Sequence, residues 1–282
     1  MALTQPEQIQ HLLEDKKSIL ITFRKDATND TIAAAVALSL FLERLGKQVD
    51  MVSDGFTPPK SLTFLKKADA ITPAFSHLQR FIVTIDIEET GVEELSYDLK
   101  DKKLRIFITP KHGFLSRDQV RTAQTDFKYQ VIFVLDTPDL ESLGGLYDNN
   151  TDLFYKVPMV NVGHDPASEH FGQINLIDLT ATSTAEILLP LMRHLGETQI
   201  DHAVATALLT SIIAKTRSFK TENVKPHTLG AASTLMSLGA NREDIVHHLY
   251  RTRSISTLKL WGHALTHMQN DKTLGLVWSA IT

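Results

Sequence analysis

Ser18-Ile-Leu-Ile-Thr-Phe23 runs directly into the polar turn Arg24-Lys-Asp-Ala-Thr-Asn-Asp30, and an apolar stretch from Ile32 to Leu45 follows before Gly46. The first run has the β-branched character of a strand buried on both faces. The second is apolar around nearly its whole circumference, as a helix enclosed by a core must be, and Gly46 is placed to stop it. Gln48–Val52 reads as the next strand. Strand, helix and strand in immediate succession make a right-handed crossover, the repeat of a parallel α/β sheet.

Three more apolar runs end in polar turns. Val131–Leu135 leads into Asp136-Thr-Pro-Asp139, and Pro158–Val162 into Gly163-His164-Asp165. Leu208–Ala214 leads into Lys215-Thr-Arg-Ser-Phe219. Open parallel sheets bind ligands beyond the carboxyl ends of their strands, so these turns are where site residues are expected.

With 282 residues, 43% of them hydrophobic, the chain can bury one large core or two modest ones. Its 29 basic and 33 acidic residues leave a net charge of −4, which is no global footprint for nucleic acid, although a local basic patch stays open. The absence of cysteine excludes disulfides, thiol catalysis and thiolate metal sites. The opening residues lack the basic and apolar regions of a signal peptide. The longest apolar run, Ile32 to Leu42, contains Ser39 and is too short to span a bilayer. A soluble cytoplasmic protein without a membrane partner is expected.

Gln5–Asp15 reads as a first helix, and Pro58–Leu65 as a turn and short helix. Between about Arg80 and Thr125 the pattern changes. Phe81–Ile87, Glu94–Leu99 and Lys103–Thr109 are short alternating runs that read as an antiparallel meander. Ser183-Thr-Ala-Glu186 has the form of a capping box opening a helix to His194 or Leu195. Helices are expected over Asp201–Ala214, Pro226–Leu238, Asn241–Tyr250 and Ser254–Met268. Leu274–Ile281 reads as a lone strand without a sheet to join.

The four turns, in order and with their flanks, resemble the DHH phosphoesterase family, in particular its nanoRNases and pAp phosphatases. The family's first motif is His-x-x-Pro-Asp-Gly-Asp. Here Arg24 stands for its histidine and Thr28 for its first aspartate, Asp30 is kept, and Asp26 is a carboxylate two positions out of register. The second motif matches at Leu135-Asp136-Thr137, with Leu143-Gly144 following. The resemblance implies that Asp136 would bridge two metals. In the third motif His164 is kept, while Gly163 and Asp165 replace an aspartate and a histidine. In the fourth, Thr210-Ser-Ile-Ile-Ala-Lys215-Thr-Arg-Ser-Phe219, Lys215 replaces a ligand aspartate. The segment between the first and second motifs then reads as an insertion of about residues 80–125. The expected organisation is an α/β domain over 1–250 with a parallel sheet flanked by helices, then 251–282 as a linker helix and the start of a second domain. The second domain's Gly-Gly-His motif is not found.

The resemblance thus implies a ligand set cut to Asp30, Asp136 and His164. Arg24 and Lys215 are expected to converge with these on one cleft and to balance the charge of Asp30 and Asp136 once matched by metal. Asp30 alone also reads as a helix N-cap, His164 as a structural histidine, and Arg24 and Lys215 as surface charges. Asp165 and His170 read as surface residues. The adjacent His247 and His248 cannot share one helix face and are no metal pair. Three functions stay open. The first is a pseudoenzyme acting as a binding, regulatory or assembly module, with no cofactor. The second is a Mn- or Mg-dependent phosphoesterase on short oligonucleotides or nucleoside phosphates such as pAp. The third is a metal-free phosphate or nucleotide sensor using Arg24, Lys215 and Arg217. Partners implied are a protein at the inserted meander, a nucleotide or short oligonucleotide, and a second copy in a homodimer.

Overall fold

The computed structural model describes residues 3–251 and 255–280. Its chain divides into two compact units, one of 1–75 with 129–282 and one of 76–128. The larger is built on a six-stranded parallel sheet. Strand β1 (Ser18–Phe23) is followed by helix α2 (Asn29–Arg44), β2 (Gln48–Val52) and the short β3 (Ile71–Thr72); helix α1 (Gln5–Leu13) precedes them. The smaller unit holds β4 to β7, and the larger resumes with β8 (Val131–Leu135). Two short helices, α3 (Gly145–Asp148) and α4 (Thr151–Lys156), lead to β9 (Met159–Gly163) and β10 (Ile174–Ile177).

The sheet order is β10-β9-β8-β1-β2-β3. The chain therefore builds outward from β1 in one direction, then returns to β8 at its other side and builds the opposite way. Between β1 and β8 lies a topological switch point, where adjacent crossovers diverge and leave a crevice. Helix α5 (Thr184–Gly196) and α6 (His202–Lys215) complete the core. Every residue of α2 from Asp30 to Leu42 is buried, which explains the helix's apolar circumference. It packs chiefly against α6, itself buried from Leu208 to Ile213.

The smaller unit is antiparallel, as expected, but its pairing is nested rather than sequential. β5 (Glu94–Lys100) and β6 (Lys103–Thr109) form a hairpin, while β4 (Phe81–Ile85) pairs with β7 (Val120–Gln124), a strand the sequence reading did not mark. Val120-Arg-Thr-Ala-Gln124 is only weakly apolar, so its strand character rests on its partner.

After α6 come α7 (Pro226–Ser237) and α8 (Arg242–Val246). The expected Asn241–Tyr250 helix changes to a π-helical turn at His247–Arg251. Asn241 caps α8 by accepting the backbone N–H groups of Glu243 and Asp244. Helix α9 is Ile255–Thr266; Ser254 and Ile281 lie outside the described residues. The expected lone strand has a partner: β12 (Leu276–Ser279) pairs antiparallel with β11 (Met268–Asp271). Among the described residues no helix is long and apolar enough to cross a membrane.

Candidate functional site

The crevice at the switch point collects the turns singled out in the sequence. Phe23 is in register with Leu135, and Leu135 with Val162, so Arg24, Asp136 and the Gly163-His164 pair leave adjacent strand ends at one level. The Arg24 backbone N–H donates to Thr137 Oγ1 at 3.1 Å, tying two strand ends together. Asp136 takes a left-handed φ of 47°, and its N–H donates to the Val162 carbonyl at 2.8 Å. A non-glycine residue in that region is strained, and such strain gathers at functional sites.

Asp30 is not the cap of α2. Thr28 holds that position, accepting the Thr31 N–H, which leaves Asp30 in the first turn with its carboxylate buried. Ser211 Oγ donates to Asp30 Oδ1 at 2.5 Å, and the backbone N–H of Thr184, at the start of α5, supports the charge. Burial and the neighbouring Asp136 charge push the Asp30 carboxyl up to about 7, against the opposing pull of Ser211 and Lys215. Asp136 Oδ2 accepts from Thr31 Oγ1 at 2.9 Å, while its Oδ1 lies 3.3 Å from His164 Nδ1 without hydrogen-bond geometry. Burial lowers the His164 pKa, Lys215 adds to that effect, and Asp136 resists it. The ring is therefore neutral near pH 7. One ligand atom from each of Asp30, Asp136 and His164 lies within 4.8 Å of the others.

Arg24 and Lys215 line the same cavity of about 480 Å³, together with Asp136, His164 and Asp165. Their pairing departs from expectation. Lys215 Nζ is 3.8 Å from Asp30 Oδ2 rather than beside Asp136. Arg24 is held by Asp26 instead of Asp30, with Nε to Oδ1 at 2.6 Å and Nη2 to Oδ2 at 2.9 Å. The reason is local: Asp26 is two residues along the same turn, and Asp30 is buried behind the start of α2. Asp165, read as a surface residue, is half-buried in the cleft; His170 is exposed. The Ser183 capping box does not form. Glu186 turns instead to His227 Nε2 at 2.8 Å and to the Thr182 N–H at 3.4 Å. The rings of His247 and His248 are edge-on at 5.6 Å, with His248 stacked on Phe64.

Asp30 Oδ2 and His164 Nδ1 are buried without a hydrogen-bond donor or acceptor, as are Thr184 Oγ1 and Glu186 Oε1 nearby in the sequence of α5. Two carboxylates and a neutral imidazole with such orphaned atoms fit one divalent cation of the Mn or Mg type. The positions where the resemblance implies the remaining ligands carry Arg24, Thr28, Gly163 and Lys215.

Sequence reading missed the groups that hold the carboxylates: the Ser211 and Thr31 hydroxyls and the Thr184 backbone N–H. Ser211 was accessible: it is four residues before Lys215 on α6, hence on the same face. Thr31 and Thr184 gave no signal, because only the packing of α2 on β1 and α5 brings them to the site.

No protein-family model matches the chain. It is 22% identical over 250 residues to the bifunctional oligoribonuclease and PAP phosphatase NrnA of Thermus thermophilus, covering 88% of this chain and 58% of that protein. It is 32% identical over 136 residues to the cyclic-di-AMP phosphodiesterase PdeA of Listeria monocytogenes, covering 43% of this chain and 20% of that one. The chain thus spans between a fifth and three-fifths of the curated relatives' lengths. Its fold resembles that of an exopolyphosphatase-related protein from Bacteroides fragilis, with a TM-score of 0.68 and 18% identity over 95% of this chain and 66% of that one. Motif order and these relatives together support the resemblance of the chain to phosphoesterases of the DHH type.

Proposed function

We propose that the protein binds phosphate esters in this cleft and has lost hydrolysis by a two-metal route, acting as a binding or regulatory module. The observation that supports this most is the Lys215 ammonium, 3.8 Å from Asp30 Oδ2, at the position where the resemblance implies a ligand aspartate. A fixed cation repels a dication across a low-dielectric cleft but attracts an anion. Arg24 keeps Nη1 free of Asp26 and, with Lys215, offers two positive groups to a phosphate. The ligand class follows from the Thermus relative: PAP or a short oligoribonucleotide.

The test is calorimetric titration of PAP with chelator present, alongside phosphate release from PAP and short RNAs with Mn²⁺. Binding without release is expected, weakened by Lys215→Met. Mn²⁺-dependent release that Asp136→Asn abolishes would overturn the proposal. It would favour a second reading, a single-cation phosphoesterase, which the close grouping of Asp30, Asp136 and His164 supports.

A further inference from the structure

A second cavity, of about 760 Å³, shares no lining residue with the cleft. Among the described residues its charged lining is wholly basic: Arg217, Lys220 and Arg242. No carboxylate among the described residues pairs with any of the three. We propose that this cavity is a binding site for a compact phosphorylated small molecule of the nucleoside-diphosphate type, separate from the acidic cluster.

The cations are presented by built structure. Arg217, Ser218 and Phe219 all take left-handed φ values, 47°, 62° and 65°, though none is glycine. Buried Thr216 holds that turn, its Oγ1 donating to the Ile212 carbonyl at 2.7 Å and accepting the Phe219 N–H at 3.0 Å. Strained consecutive residues persist where their surroundings over-determine them, and here they place Arg217 in the wall. Arg242 Nη2 donates to Ser218 Oγ at 3.2 Å, which fixes a second guanidinium. A guanidinium held as Arg242 is suits phosphate oxygens, since less rotamer entropy remains to be lost. Tyr250, in the same lining as Val246 and Leu249, is anchored by its hydroxyl, which donates to the Ile213 carbonyl at 2.9 Å. A fixed ring and two aliphatic side chains offer a face for a base, and the volume lies within the range of small-molecule sites. Like charges converging without acids favour a multiply charged anion over a single phosphate.

The experiment is calorimetry with ADP and with pyrophosphate, in chelator at neutral pH. ADP is expected to bind more tightly than pyrophosphate, because only it reaches the Tyr250 face. Lys220→Met, an exposed change, and Arg217→Gly should each weaken both by about tenfold, the size of one charge-assisted hydrogen bond. Glycine suits a φ of 47°, so the second variant should unfold no earlier than the parent. Arg24→Gln with Lys215→Met, which alters only the cleft, should leave in place the ADP binding that Lys220→Met weakens. The proposal falls if ADP binding is lost in that cleft variant and kept in the cavity variants. It also falls if neither probe binds up to about 1 mM, or if only an oligoribonucleotide does. Failure of PAP to bind in the cleft would overturn the role proposed for the cleft alone.

Discussion

At the scale of single residues, the site is a problem of charge in a buried place. The folded pKa of Asp30, about 7, lies above its ordinary value of 3.8. The folded chain therefore holds this proton more tightly than the unfolded one. That contribution to stability is present below about pH 4 and is lost as the pH rises through 7. With chelator present, Asp30→Asn should gain on the parent by on the order of 4 kcal/mol between those limits, measured by thermal unfolding as a function of pH. A difference that does not change with pH would mean that Asp30 is not desolvated. Lys215 opposes the same penalty. Lys215→Met should destabilise the protein at pH 8, and adding Asp30→Asn should recover much of the loss in a double-mutant cycle. Additivity would show that the two residues do not interact. Lys215→Asp should tighten Mn²⁺ binding at least tenfold, by exchanging a repulsive charge for a ligand, as read by calorimetry. Restoring the rest of the set needs Arg24→His, Thr28→Asp and Gly163→Asp. At Gly163 a Cβ would meet Asp136 Cα at 3.6 Å, an ordinary van der Waals contact. No gain from Lys215→Asp would mean that its side chain leaves the cleft in solution. The kept family residues were legible here, because each follows an apolar run in fixed order. Their partners were not: a contact such as Ser211 to Asp30 spans 181 residues of sequence.

At the scale of elements, the inserted unit and the sheet answer to different forces. The strands β4 to β7 expose Phe81, Leu95, Tyr97, Leu99 and Phe107, so each two-stranded ribbon has little core of its own. Phe75 and Tyr129, which flank the insertion, have ring centroids 6.1 Å apart. The larger unit therefore already holds together the two ends that an excision would join. Replacing 76–128 with a short Gly-Ser linker should leave the remainder folded, with far-UV dichroism and a single thermal transition as the readout. Loss of cooperative unfolding would mean that the insertion completes the core. The nesting of β4 with β7 around the β5–β6 hairpin was not legible, since both pairings satisfy the same alternation of apolar and polar residues. The Ser183 box failed for a related reason: the local motif offered Glu186 a backbone N–H, and His227, supplied by α7, took it instead.

At the scale of the whole molecule, stability should follow burial. Amides of β1, β8 and α2, enclosed on all sides, should exchange hydrogen most slowly, and those of the β5–β6 hairpin most rapidly. Hydrogen exchange followed by mass spectrometry would measure this, and equal protection would contradict the division into two units. The same contrast separates what the chain dictates locally from what its folding decides. Apolar runs, their β-branched content and the turns that end them are properties of neighbouring residues, and they determined the parallel sheet, the buried α2 and the strand-end placement of Arg24, Asp136 and His164. Motif order, also linear, carried the resemblance to DHH-type phosphoesterases. Tertiary structure decided which charges meet. It set Lys215 against Asp30, left Arg24 to Asp26, and brought Thr31 and Ser211 to the carboxylates. It also drew Arg217, Lys220 and Arg242 around one cavity. Hydrophobic patterning is summed along the chain, so it can be read from composition and period, whereas an ion pair or hydrogen bond depends on a few ångströms between distant segments, which only the packing of α2, α5 and α6 on the sheet supplies.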